Sequence, residues 1–171
     1  MRKPFAIFLN GPAHSGKSTI GAMLEAQLKG TTFLEGESLV GRAGRSPEEW
    51  VGDTILAGTA KLIEEAKAGR LGVLAFPLRN GDWDLIARAC QREGITPICI
   101  TLAPPLAVAI SARGTRRLST EDAERVRRMY DEGYHRREFS ALTLDNGNEA
   151  PGATSQKVAQ YLSSLTGARL W

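Results

Sequence analysis

Two glycines, a lysine and a serine stand at positions 11, 16, 17 and 18, inside the stretch NGPAHSGKSTIG, and their spacing reads G-x-x-x-x-G-K-S. Residues of these types at this spacing can hold phosphate. Glycines let the backbone curl so that successive N–H groups point at phosphate oxygens, and a helix N-terminus adds its partial positive charge. The apolar run before the loop and the helical periodicity after it supply the strand–loop–helix context that the motif requires. On this reading Gly11, Pro12, Ala13, His14, Ser15, Gly16, Lys17, Ser18 and Thr19 wrap the phosphates of ATP. Lys17 reaches the terminal phosphates and the Ser18 hydroxyl coordinates Mg²⁺. His14 contributes backbone there and is given no acid–base role.

A second group of chemical interest is FLEGESL, where Glu35 and Glu37 flank a glycine at an expected strand end. Ligands gather at strand ends in open α/β folds. Two carboxylates near a phosphate loop can divide the work of phosphoryl transfer. One serves as general base on an acceptor hydroxyl, and one, assigned to Glu37, helps hold Mg²⁺ through water. The spacing leaves open which of the two is the base.

These residues need a frame, and the chain supplies one. FAIFL (5–9), TTFLE (31–35), LGVLAF (71–76), TPICITL (96–102) and SALTLD (140–145) read as strands. Helical periodicity covers roughly 17–29, 47–67, 82–93, 104–113, 121–137 and 154–166. In the fifth of these the apolar stripe is Val126, Met129, Tyr130 and Tyr134, and STED before it has the capping-box pattern. Strands alternating with helices imply a parallel sheet covered on both faces. With 171 residues, and without internal repeat or linker, one three-layer α/β domain over 1–171 is expected.

Composition narrows the class. The chain is 42% hydrophobic and 24% charged, and no apolar run approaches the ~18 residues of a membrane helix. The run 5–9 is shorter than the ~7–15 residues of a signal-peptide core and leads straight into the loop, so it reads as a buried strand. Cys90 and Cys99 lack metal-ligand spacing and read as structural thiols in a reducing cytoplasm. A net charge of +3, with no aromatic–basic stripe, argues against nucleic acid as a partner. Sixteen of the 22 basic residues are arginine, eight of them between positions 113 and 137, and arginine's planar fork suits phosphate oxygens. A guanine-reading N/T-K-x-D is missing. So is an acid after the third expected strand, which ends LAFPLR, and this excludes GTPase switches and large ATPase machines.

GPAHSGKST…FLEGESL resembles the pattern G-x-x-x-x-G-K-S/T…D-G-D of small-molecule kinases such as gluconate kinase and adenylylsulfate kinase, with glutamate in place of both aspartates. LAFPLRN, LAPPLAVAISARGTRRL and LTLDNG are similar, in order, to the third strand, the strand–helix–lid segment and the fifth strand of that group. The resemblance implies a P-loop NTPase domain of the adenylate-kinase-like kind, its five-stranded parallel sheet ordered 2-3-1-4-5, with a short lid near 114–120. The acceptor segments depart from every relative. The D-R-x-P-W step of gluconate kinase is missing, as are the D-x-D and Gly-Gly acceptor loop of shikimate kinase.

The resemblance also implies roles for arginines. Arg113 would stack on the adenine, and Arg117, with Arg116 interchangeable, would contact the transferring phosphoryl group. Asp145, Asn146 and Gly147 would border the adenine. By position rather than by resemblance, Arg79 leaves a strand end on the same edge as Glu37, and Arg42 and Arg45 lie in the glycine-flanked loop VGRAGRS, expected to overhang the acceptor; if all three face it the acceptor is anionic. Arg125, Arg127 and Arg128 read as a solvated face paired with Glu121, Glu124 and Asp131. The expected activity is transfer of the γ-phosphoryl group of ATP to a hydroxyl of a small metabolite or antibiotic. Two alternatives stay open: a nucleotide-binding regulatory protein without transfer chemistry and, less favoured, a polynucleotide 5′-kinase. The sequence leaves the oligomeric state open.

Overall fold

Side chains alternate across a strand, and in the first strand that alternation assigns the two layers that sandwich the sheet. The computed structural model describes residues 4–111 and 117–166. Its first strand, β1 (Phe5–Asn10), is followed by α1 (Lys17–Gln27), β2 (Thr31–Glu35), α2 (Pro47–Lys67), β3 (Leu71–Ala75), α3 (Asn80–Arg92) and β4 (Thr96–Leu102). One helical turn, α4 (Leu106–Ala109), then α5 (Thr120–Asp131), β5 (Leu142–Leu144) and α6 (Pro151–Thr166) complete the order. Ala6 and Phe8 join Ile55, Leu62, Ile86 and Cys90 in the core under α2 and α3. Ile7 and Leu9 join Ile20, Leu24, Val158 and Leu162 under α1 and α6. β1 is buried on both faces, which is why its sequence is a continuous apolar run.

All strand pairs are parallel and their order is β2-β3-β1-β4-β5, as the resemblance implied. The carboxyl ends of β1, β2 and β3 therefore lie side by side, with Leu9 opposite Ala75 and Ala75 opposite Glu35. This puts the loop after β1 and the acidic turn after β2 on one edge. Among the described residues no helix is long and apolar enough to cross a membrane.

Several boundaries differ from the sequence expectation. The helix expected over 121–137 stops at Asp131, because Gly133 adopts φ 77° and the chain closes with Tyr134 N–H donating to Met129 O and Gly133 N–H to Tyr130 O. That is a Schellman stop, and it needs a residue that tolerates left-handed backbone. Tyr134 is buried as the apolar stripe suggested, but from the turn after the helix. β5 keeps only three of the six expected residues. α6 begins three residues early, with Pro151 in its first turn. A single 3-10 turn, Gly36–Ser38, follows β2 and was not expected. The capping boxes at Ser46–Glu49 and Ser119–Asp122 are formed, the second as STED indicated.

The sheet edge is tied together by the buried side chain of Asn10. Its amide nitrogen donates to Thr101 Oγ1 (2.9 Å) and to Tyr134 O (3.2 Å), and its amide oxygen accepts from Leu78 N (2.8 Å). Leu78 O in turn accepts from Arg137 Nε at 3.0 Å. One side chain thus links β1, the exit of β3, β4 and the turn after α5. Asn10→Ala leaves the buried Leu78 N–H and Tyr134 carbonyl without these partners. We expect it to destabilise the fold by about 2–4 kcal/mol, read from urea unfolding midpoints. A loss under about 0.5 kcal/mol contradicts that role.

Candidate active site

Where β1 ends, the chain turns away from β4 under tight steric limits. Gly11 has φ 141°, and a Cβ there would stand 2.4 Å from Leu102 O, so only glycine passes. His14, at φ 63°, takes a left-handed conformation uncommon for a non-glycine residue. Gly16, with φ 96°, is the N-cap of α1 and leaves its first amides without a side-chain cap. Ser15 is buried, and its carbonyl accepts a hydrogen bond from Asn146 Nδ2 at 2.9 Å. Ala13 N–H approaches Met129 Sδ at 3.3 Å, so α5 supports the loop from outside.

Lys17 Nζ donates to the carbonyls of Gly11 (3.0 Å) and Pro12 (2.7 Å) within the loop. Burial pushes its pKa down from 10.5 to about 8. Glu37 and Glu35 pull it upward, and Arg125 pushes it further down. Both carboxylates of the EGE turn are therefore within electrostatic reach of the loop lysine.

A cavity of about 780 Å³ opens beside the loop. Gly16, Lys17, Ser18 and Thr19 form one wall, Ala109 and Leu118 another, and Asn146, Pro151 and Thr154 a third. Of the residues expected to border the adenine, Asn146 also braces the loop. Asp145 Oδ1 accepts from Gly147 N–H, a local turn that lies against Pro105. Ala109, Leu118, Pro151 and Thr154 carry no motif, so the sequence could not have nominated them. Arg113 and Arg116 lie outside the described residues, as does 114–116 of the expected lid. Arg117 is exposed in the irregular segment that leads to α5.

Of the three arginines expected to face an acceptor, Arg79 and Arg45 are paired with carboxylates. Arg79 grips Asp82, with Nε–Oδ2 and Nη2–Oδ1 both 3.1 Å, and Asp82 also accepts from the Arg79 N–H to start α3. Arg45 pairs with Asp53 at 2.7 Å and donates to Gly41 O. Arg42 lies over the Trp50 ring, 3.9 Å from its centroid, with no carboxylate partner among the described residues. Trp50 is anchored by its indole N–H to Val40 O and meets Phe76 edge-on. Arg125 departs from the sequence reading. It approaches Glu37 across the site (3.8 Å), a tertiary contact that helix spacing could not reveal.

The donor set suits magnesium. Ser18 is exposed on the cavity wall next to Lys17, and Glu37 acts on the same lysine. Among the described residues no cluster of three or more His, Cys, Asp or Glu could hold a metal alone. Mg²⁺ needs no such cluster, since it is commonly bound by one or two protein oxygens, water and substrate phosphates.

No family model and no curated protein matches this chain. Solved structures do match in fold. A gluconokinase from Sinorhizobium meliloti 1021 shares 17% identity at a TM-score of 0.71, covering 98% of this chain and 96% of its own. The APS kinase of Mycobacterium tuberculosis, solved with AMPPNP and APS, shares 17% at 0.66, with 95% and 99% covered. A tunicamycin resistance protein from Deinococcus radiodurans shares 18% at 0.65, with 93% and 95% covered. The chain has the P-loop kinase fold.

The lowered Lys17 pKa fixes a sign. Between pH about 8 and 10.5 the folded protein binds fewer protons than the unfolded chain, so Lys17's effect makes stability rise with pH there. A bound polyphosphate favours the ammonium, so nucleotide binding at about pH 9 takes up protons. We expect calorimetry in two buffers of different ionisation enthalpy to detect this uptake and Lys17→Met to abolish it. Equal uptake in the variant contradicts the assignment.

Proposed function

We propose that this chain is an ATP-dependent kinase that transfers the γ-phosphoryl group to a hydroxyl of a small molecule. The observation that carries the reading is the position of Glu35 and Glu37 at the end of β2, on the same sheet edge as the phosphate loop, where their charge favours the Lys17 ammonium. A loop that only binds Mg-nucleotide can use one carboxylate there, for the metal, which leaves the second for transfer chemistry. A transferase needs one to take a proton from the attacking hydroxyl.

The residues then divide the work. The loop amides and Lys17 hold the phosphates. Glu37 or Glu35 accepts the acceptor's hydroxyl proton as its oxygen bonds to the γ-phosphorus, and the bond from that phosphorus to the β-bridging oxygen breaks to leave ADP. Lys17 and Arg117 neutralise charge on the moving group. Ser18, and Glu37 through water, would hold Mg²⁺, which when bound screens the phosphate oxygens. Asn146 keeps the loop in shape by its bond to Ser15 O.

For the acceptor, Arg42 is the arginine of the three that no carboxylate occupies among the described residues, and it is oriented by Trp50. This supports an anionic acceptor, with Arg45 and Arg79 able to join only by giving up Asp53 and Asp82. Two of the similar structures are named as kinases with different acceptors, gluconokinase and APS kinase, so they support phosphotransfer and no particular acceptor. The reading includes one domain over 1–171 and a cytoplasmic location. Cys90 and Cys99 are free and buried, their thiols pushed up to about 11 and 12 by burial. A nucleotide-binding regulator is the second reading, favoured by the exit of β3 as Phe76, Pro77 and Leu78, with no acid.

The test is ADP release with Mg-ATP across an acceptor panel of sugar acids, shikimate, adenylylsulfate, nucleosides, aminoglycosides and a 5′-hydroxyl oligonucleotide. We expect one acceptor class to raise turnover and Lys17→Ala to lower it by about a hundredfold or more. Acceptor-independent release that Lys17→Ala leaves unchanged contradicts the kinase reading.

A further inference from the structure

α5 carries a cation into the site from outside the loop and the expected lid. Its face toward the loop is built from Asp122, Arg125, Val126 and Met129, residues three and four apart. Val126 and Tyr130 are buried with Ala109, and Ala13 of the loop lies against this cluster. Met129 Sδ touches the Ala13 amide, the Tyr130 hydroxyl donates to Pro104 O, and Ser119 caps the helix start. The helix is thus clamped to the loop, and Arg125 is projected from a fixed base.

Arg125 Nη2 stands 3.8 Å from Glu37 Oε1, with both side chains about half exposed. That separation is the outer limit of an ion pair, and such exposed pairs contribute at most about 1 kcal/mol. Arg79, by contrast, makes two hydrogen bonds to a buried carboxylate. Glu37 therefore restrains Arg125 without holding it. Arg125 also bears on Lys17, so two cations crowd the mouth of one phosphate loop, and a phosphoryl group between them would relieve that repulsion.

We infer that Arg125 is a phosphoryl-binding residue: it rests on Glu37 in this structure and moves to the terminal phosphoryl oxygens of bound ATP, freeing the Glu37 carboxylate for acceptor or metal. This rests on the kinase reading above and adds to it a residue carried by a helix. The exchange is one ion pair for another, and the phosphoryl group, with three oxygens, is the stronger partner for a planar guanidinium.

The experiment is calorimetric binding of Mg-ADP alone and with aluminium fluoride, a mimic of the moving phosphoryl group, to wild type, Arg125→Ala, Arg125→Lys and Arg127→Ala. We expect aluminium fluoride to tighten ADP binding in wild type. Arg125→Ala should lose at least about tenfold of that gain while its affinity for ADP alone changes by less than about threefold. Arg125→Lys should recover part of the gain, and Arg127→Ala, on another face, should keep all of it. Unchanged ADP affinity also shows that the variant is folded. Equal losses for both ligands, no loss, or a wild type that gains nothing from aluminium fluoride overturns the role of Arg125 and leaves nucleotide binding standing. A wild type that binds no nucleotide overturns the kinase reading as well.

Discussion

Three segments at the carboxyl edge of the sheet are held together by the side chain of Asn10. β1 is the middle strand, and its last residue is where a chain buried on both faces must become a loop facing solvent. A buried amide there costs free energy unless its hydrogen bonds are made. Asn10 makes them to three segments distant in sequence: β4, the exit of β3 and the turn after α5. The phosphate loop starts from that fixed point. The segment beginning at Leu78 and the turn that follows the helix bearing Arg125 are bonded to the same side chain.

The electrostatics at this edge are unequal by design of position. On the acceptor side, Arg45 and Arg79 have short bonds to carboxylates on their own or adjacent helices, so their charge is already spent on local structure. On the phosphate side, Lys17 is held by backbone carbonyls and depressed by burial, and among the described residues the ion pair of Arg125 is a long, exposed contact with Glu37. Two cations, Lys17 and Arg125, therefore stand where phosphate would enter, neither in a close ion pair among the described residues. Such an arrangement binds a polyanion with a gain that an already neutralised pocket could not match.

The parts of this arrangement that were readable in the sequence are those set by neighbours along the chain. The loop motif and the capping pattern before Thr120 each depend on residues within a few positions of one another. Sheet order came from the resemblance, since spacing cannot rank parallel strands. What could not be read is the choice of partner. Arg79 and Asp82 are three apart at a helix start, a spacing that allowed their pairing, yet the arginine's position at a strand end drew attention to the acceptor. Arg125 offered local acids as partners along its helix and took Glu37 from a different part of the fold. Tyr134 continued an apolar stripe past the glycine that ends the helix, so period alone overran the boundary.

The central claim, that phosphate leaves this loop for a small molecule, is tested most directly by following the phosphate itself. Incubating the protein with Mg-ATP carrying heavy oxygen on the γ-phosphoryl group, in a small-metabolite extract, and searching by mass spectrometry for labelled phosphomonoesters needs no prior choice of acceptor. We predict a labelled phosphomonoester with wild type that is missing with Lys17→Ala. Label recovered only in ATP and inorganic phosphate, from a protein that binds ATP tightly, would contradict the account and leave a nucleotide-binding protein in its place.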